Sequence, residues 1–266
     1  MTSHQPELLR DLDRDSGWTL MVGGAEQSYV DVEDATHLEF EYMQHIALVV
    51  DEVLGDRPLS ALHLGGGACT LPRWVAATRS GSTQLVAEAS AEILAAVRPL
   101  GPVPGCRVVH DDAIGVLVQD PDVGRDLVVW DLYEGPRVVT STLTLNVIAQ
   151  MRRVLRPHGI AVLNVSDVMP FDVVRPVVAA MRVVFDDVAL LAEPGTLRGR
   201  RSGNCVLIGS TALLPATALR RAGAAAPVRA RVLAGPSLTD FVGDAVPPTA
   251  DRPVPEPDEV SGRGFL

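Results

Sequence analysis

The chain has 266 residues, enough for one large α/β domain or for one domain with a small appendage. A hydrophobic share of 47% supplies a sizeable core, and with aromatics at only 4% the filling falls mostly to Ala, Val and Leu. The formal charge of −10 argues against non-specific nucleic-acid binding, and the lack of any lysine excludes a lysine nucleophile or Schiff base.

The three cysteines, Cys69, Cys106 and Cys205, are far apart and odd in number, so neither a disulfide framework nor a metal site is expected. The first twenty residues are polar and charged rather than a secretory signal. No apolar run reaches membrane-spanning length. A cytoplasmic protein that binds neither nucleic acid nor membrane is the expectation.

In chain order, residues 1–16 are charged and read as loosely helical or poorly ordered. Trp18 to Val22 and Gln27 to Val32 flank Gly23-Gly24, the pattern of a β-hairpin. Residues 35–54 carry apolar side chains at Leu38, Tyr42 or Met43, Ile46, Val49 and Val53, which is helical spacing. His37 and His45 on this stretch read first as polar helix-surface residues.

The stretch from Ser60 to Ser90 organises the rest. An apolar run (Ala61, Leu62, Leu64) reads as a buried strand and leads into Gly65, Gly66 and Gly67, where the backbone can take positive φ and approach a ligand. A helix from about Thr70 to Thr78 points its first amides toward whatever sits over the glycines. A second strand, Gln84 to Ala87, ends in Glu88, about 20 residues beyond the glycines, where a nucleotide-binding βαβ unit places a carboxylate for ribose hydroxyls. The spacing is not G-x-G-x-x-G, since Cys69 and Thr70 stand where the last glycine would be. A single nucleoside fits this pattern better than a dinucleotide, and a plain flexible loop is the competing reading.

A helix follows and ends at Gly101-Pro102. Arg107 to Val109 forms a strand leading to His110-Asp111-Asp112-Ala113. Asp126 to Trp130 reads as a central strand that delivers Asp131, followed by Leu132, Tyr133, Glu134 and Gly135. Residues 140–156 have helical spacing, and Ile160 to Val165 is a buried strand. Pro176 to Val184 is helical, and Val188 to Leu191 and Asn204 to Gly209 are the last strands. This alternation predicts a doubly wound, mostly parallel α/β sheet covered on both faces, preceded by a small N-terminal β-hairpin region. The divisions expected are 1–34 for the hairpin segment, 35–212 for the nucleoside-binding catalytic domain and 213–266 for a C-terminal extension, Pro-rich and irregular after 243.

In such sheets ligands bind beyond the C-terminal ends of the strands. Glu88, Asp111, Asp112 and Asp131 all fall there, with Glu134 three residues later. One strand-end Asp is often only a helix N-cap. Three successive strands ending in carboxylates suit a ligand whose ribose meets Glu88, whose adenine amine meets Asp112 and whose reacting centre faces Asp131.

The segments LHLGGGACTLPRWV, VAEAS, VVHDDA, LVVWDLYEG and RRVLRPHGIAVLN, with the N-terminal GGAEQSYVDVEDATHLEFEY, resemble the spermidine synthase (aminopropyltransferase) family, which is built on the class I methyltransferase, Rossmann-like fold. The resemblance spans roughly residues 18–210. It implies that Gly65, Gly66 and Gly67 form the nucleoside loop, that Glu88 holds the ribose, and that Asp112, with its neighbours Asp111 and Ala113, meets the adenine. It implies further that Asp131 is the catalytic carboxylate, assisted by Glu134 or Tyr133, and that Gln27 and His37 wall the site. The family's co-substrate is decarboxylated S-adenosylmethionine, its acceptor a small amine and its usual assembly a homodimer or tetramer.

Three positions depart from the family pattern. The loop aspartate that meets the aminopropyl ammonium is Ala68 here, the tyrosine beside the site histidine is Thr36, and the second aspartate of the family's Asp-Ser-x-Asp-Pro run, which the catalytic aspartate opens, is Glu134. The nucleoside half of the site is therefore kept and the amine half altered. Aminopropyl transfer from decarboxylated S-adenosylmethionine, without a metal, is the leading expectation. Methyl transfer from S-adenosylmethionine itself and a non-catalytic nucleoside-binding relative are the alternatives.

Overall fold

The glycine pair at 23 and 24, both at positive φ, makes the tight turn of a hairpin, and a third strand joins that hairpin. In this computed structural model, which describes residues 5–249 and 251–256, β1 (Glu7–Arg10), β2 (Gly17–Val22) and β3 (Ala25–Asp31) form an antiparallel sheet in that order. The expectation of a loosely helical or poorly ordered N-terminus is corrected for residues 7–10. Four residues alone carry no strand signal, but Leu8 lies opposite Leu20 and packs with Val30 and Trp18, so pairing and burial decide the conformation.

The helix expected over 35–54 begins later, as α1 (Glu41–Leu54). Asp31 explains the delay. Its carboxylate accepts from the amides of Glu33 (2.9 Å) and Asp34 (3.0 Å), and Asp34 in turn accepts from the Thr36 amide (3.1 Å). Those side-chain bonds commit the backbone to turns before the helix can start.

The main sheet then assembles from β4 (Ser60–Leu64), α2 (Thr70–Thr78), β5 (Thr83–Glu88), α3 (Ala91–Val97), β6 (Cys106–His110), α4 (Ala113–Gln119) and β7 (Arg125–Trp130). A miniature hairpin, β8 (Tyr133–Glu134) and β9 (Arg137–Val138), precedes α5 (Leu145–Val154) and β10 (Leu155–Asp167). The chain finishes through α6 (Val174–Val184), β11 (Asp187–Ala192), α7 (Pro194–Leu197), β12 (Gly203–Ser210), α8 (Ala216–Ala225), β13 (Arg231–Ala234) and α9 (Pro236–Val242). The helix expected over 140–156 is shorter because Thr144 caps it, its hydroxyl accepting from the Val147 amide at 3.2 Å.

Eight strands run in the order β13-β11-β12-β10-β7-β4-β5-β6. β6, β5, β4, β7 and β10 are mutually parallel, β12 is antiparallel to both its neighbours, and β13 is antiparallel to β11. The chain winds outward from β4 in one direction through β5 and β6, and in the other through β7 and β10. The switch point therefore lies between β4 and β7, where ligand crevices form in such sheets.

Side chains alternate across the sheet as a strand requires. Leu127, Val129 and Val162 pack under α1 residues Ile46, Val49 and Val50 on one face. Val128, Trp130 and Leu163 pack with Ile148, Met151, Val177 and Met181 of α5 and α6 on the other. After Ser210 the chain continues this sheet, with Leu233 of β13 opposite Leu190. Beyond Gly243 the described residues hold only an isolated bridge between Thr249 and Arg252, and Val254 is buried in the α5–α6 layer. The rest of the expected irregular tail lies outside the described residues.

Candidate active site

The site begins where β4 and β7 end side by side. Asp131 N donates to Leu64 O (2.9 Å) and Gly65 N donates to Ala87 O (3.0 Å), which stitches the three strand ends together. Gly65 has φ +94°, and a β-carbon there would lie 2.2 Å from the Asp131 carbonyl oxygen. Gly67 has φ +48°, and its β-carbon would lie 2.4 Å from Ser28 Oγ. The glycines thus admit a close approach of the protein to itself, by Asp131 beneath and by the N-terminal sheet above.

Glu88, only 8% exposed, folds back onto this loop. Its Oε2 accepts from both the Gly66 and Gly67 amides at 3.0 Å, and its Oε1 accepts from Ser90 N at 2.9 Å. The Ala68 amide donates to Ser28 Oγ at 3.2 Å. The Gly66, Gly67 and Ala68 amides are therefore taken by Glu88 and Ser28. A carboxylate has about four lone-pair directions, so Glu88 keeps capacity for one ribose hydroxyl.

Asp111 and Asp112 lie on the neighbouring rim, since His110 pairs with Glu88 and Asp111 N donates to Glu88 O at 3.2 Å. Asp112 Oδ2 accepts from Gly115 N at 2.6 Å and caps α4. Asp111 Oδ1 accepts from Asp112 N at 2.8 Å. Both carboxylates are exposed and retain free acceptor positions, while Ala113 is buried beneath them. These acceptors and the remaining one on Glu88 are open to a hydrogen-bonding ligand along the strand ends.

Asp131 is held differently. Its Oδ1 accepts from Asn164 Nδ2 at 2.8 Å, and Tyr42 Oη donates to its Oδ2 at 3.4 Å. Burial pushes its pKa up to about 6, and the bonds from Asn164 and Tyr42 oppose the rise only in part. Burial likewise holds the Tyr42 hydroxyl well above its usual range, as does the Asp131 charge. The register sets this triad, because Leu163 pairs with Trp130 and so Asn164 stands beside Asp131.

Tyr133, read from sequence as a helper of Asp131, is turned to β10. Its hydroxyl accepts from Ser166 N at 2.9 Å and donates to Asn164 O at 3.4 Å. Glu134 is exposed and pairs across the miniature hairpin with Arg137. Gln27 Nε2 donates to Gly135 O at 2.7 Å, which ties β3 to the segment following Asp131. His37 bonds Glu39 at 3.0 Å, meets Tyr29 edge-on and lines a groove of about 560 Å³ with His45, Trp74 and Val228. Its described contacts include neither Asp131 nor Glu88.

Three further residues touch the loop or Asp131: Tyr42, Ser28 and Asn164. Tyr42 has the spacing of an apolar helix position and Ser28 that of an ordinary strand residue, so neither stands out in the sequence. Asn164 carried a usable signal, being the one polar residue inside the apolar run Ile160 to Val165. Among the described residues no group of three or more His, Cys, Asp or Glu could hold a metal ion, and no helix is long and apolar enough to cross a membrane.

Known structures share this fold. A probable spermidine synthase from Corynebacterium glutamicum superposes with a TM-score of 0.85 at 27% identity, covering 98% of this chain and 95% of that one. The chain is spermidine synthase-like in fold. The spermidine synthase from Thermotoga maritima matches with a TM-score of 0.59 at 17% identity, over 80% of this chain and 71% of that one. Human methyltransferase-like protein 13 in complex with SAH matches with a TM-score of 0.53 at 19% identity, over 69% of this chain and 92% of that one. No protein-family model matches the chain, and no curated protein matches it. The spermidine synthase-like fold on a class I methyltransferase sheet agrees with the resemblance read from the motifs, and its structural neighbours are transferases.

Proposed function

We propose that the chain is an aminopropyltransferase, moving an aminopropyl group from decarboxylated S-adenosylmethionine to a small amine. One observation carries the reading. A desolvated carboxylate, Asp131, stands at the switch point against the glycine loop, held by Asn164 and Tyr42 with its pKa near 6. Such a group is ionised at neutral pH, attracts an ammonium, and is more basic than an exposed aspartate.

In this scheme Asp131 takes one proton from the incoming ammonium. The freed nitrogen lone pair forms a bond to the aminopropyl carbon next to the sulfonium. The carbon–sulfur bond breaks with its electron pair going to sulfur, which leaves a neutral thioether and a protonated secondary amine. The electrophile arrives activated, so the protein's task is alignment and proton removal. Glu88 would take a ribose hydroxyl and Asp112 the adenine amine.

Methyl transfer from S-adenosylmethionine is the second reading, and Ala68 favours it. Its side chain is buried and its amide is bound to Ser28, so the loop offers no carboxylate to a free aminopropyl ammonium. Calorimetric titration with decarboxylated S-adenosylmethionine, S-adenosylmethionine and methylthioadenosine separates the two. Tighter binding of the decarboxylated form supports aminopropyl transfer, preference for the full form supports methyl transfer, and no binding by any of them refutes the nucleoside site.

A further inference from the structure

The main sheet ends differently on its two sides. On one side β13 is covered, with Val232, Leu233 and Ala234 all buried. On the other, β6 pairs only with β5 among the described residues, and Arg107, Val108 and His110 are exposed, Val108 at 40%. Gln84 N donates to Gly105 O at 2.8 Å, and Asp111 N donates to Glu88 O at 3.2 Å. The residues of a parallel ladder that bond a given neighbour alternate along the strand. Gly105, Arg107, Val109 and Asp111 therefore bond β5, while Val108 and His110 aim their N–H and C=O groups outward. An open edge of this kind is a template for another strand.

The side chains along this edge complement themselves. Arg107 and Asp111 lie on one side of the strand, with Val109 midway between them. Both charged residues are exposed, and Arg107 has no ion-pair partner among the described residues. Two copies of β6 set antiparallel about a two-fold axis at Val109 place Arg107 of each opposite Asp111 of the other. Val109 then faces itself across the axis, its Cα atoms about 4.5 Å apart. The same register sets Val108 opposite His110, so that each outward N–H of these residues meets an outward C=O. We propose that β6 is the contact surface of a homodimer, pairing edge to edge with β6 of a second copy in this register.

Charge fixes the register. An axis at Val108 sets Arg107 opposite Val109, and an axis at His110 sets Asp111 opposite Val109, so either leaves the charges unmatched. The pairing also divides two neighbouring acids of the site between two tasks. Asp111 already accepts from Asp112 N through Oδ1, and its other oxygen goes to the guanidinium of Arg107 in the second copy. Asp112 lies beyond the strand, caps α4 and stays open to a ligand. The dimer does not depend on which group the enzyme transfers.

Sedimentation equilibrium of the full-length protein reads the association directly. The wild type is expected at twice the chain mass. Arg107→Asp sets like charges opposite each other at both ends of the pairing and should weaken association by about tenfold or more. Arg107→Asp combined with Asp111→Arg restores opposite charges and should recover association to within about threefold of the wild type. Val108→Pro removes an outward N–H while sparing the bonds to β5, and should give a monomer. A monomeric wild type overturns the proposal, and so does a dimer that either Arg107→Asp or Val108→Pro leaves unchanged. A double variant as weak as Arg107→Asp alone overturns it too. Should Val108→Pro fail to fold, the charge variants decide by themselves.

Discussion

Gly65 and Asp131 are built against each other: a β-carbon on the glycine would sit 2.2 Å from the Asp131 carbonyl oxygen, and the glycine backbone is at φ +94°. The loop and the candidate base are therefore one unit, and neither can be changed without moving the other. Gly65→Ala is expected to cost more than about 3 kcal/mol in urea denaturation, from backbone strain and overpacking together. Gly135→Ala is the control, since Gly135 also has positive φ (+57°) but its β-carbon would meet nothing within 4 Å. Its cost should be about 1 kcal/mol.

The raised pKa of Asp131 sets two pH dependences. The folded value, about 6, lies above the ordinary value of 3.8, so the fold prefers the protonated acid. That contribution to stability is complete below about pH 4 and is lost as pH rises through about 6. Asp131→Asn should then match the wild type in thermal denaturation near pH 4 and exceed it by about 2 kcal/mol at pH 8, allowing for partial solvent screening. Turnover should run the other way, rising through about pH 6 as the base ionises.

Asp126 tests the support beneath the site. It is 4% exposed and accepts from Arg57 (2.9 Å), Arg156 (3.0 Å) and Ser60 N (2.8 Å). It pins the starts of β4 and β7, whose opposite ends carry Gly65 and Asp131. Asp126→Ala is expected to cost about 3 kcal/mol in denaturant titration, because it strips partners from a buried network.

Gln27 joins the N-terminal sheet to the segment after Asp131 through Gly135 O. Gln27→Ala should change stability by no more than about 1 kcal/mol. Its effect should appear in catalysis, where a loosened wall lowers kcat/KM by about tenfold in steady-state kinetics.

The parts of this fold that could be read from sequence are those governed by local pattern. The apolar runs at Leu62, Val128 and Val162 are buried on both faces and announce themselves as central strands, and chain direction alone puts Glu88, Asp112 and Asp131 at the C-terminal edge of a parallel sheet. The parts that could not be read depend on partners distant in the chain. β1 is a strand because β2 is there, β13 because β11 is, and α1 starts late because Asp31 captures the preceding amides. In the site, Glu88, Asp112 and Asp131 follow from strand ends, whereas the pairing of Asn164 and Tyr42 with Asp131 depends on β10 and α1 lying beside β7. Tyr133 was expected to face Asp131, but its hydroxyl is taken by the backbone of β10, a contact no spacing rule signals.

The most direct measurement is single-turnover transfer from decarboxylated S-adenosylmethionine to n-butylamine, followed by mass spectrometry, with wild type and Asp131→Asn side by side. The wild type should form the aminopropylated amine and methylthioadenosine in equal amounts. Asp131→Asn should slow transfer by about a thousandfold while binding methylthioadenosine with unchanged affinity. Transfer by Asp131→Asn at the wild-type rate would contradict the account.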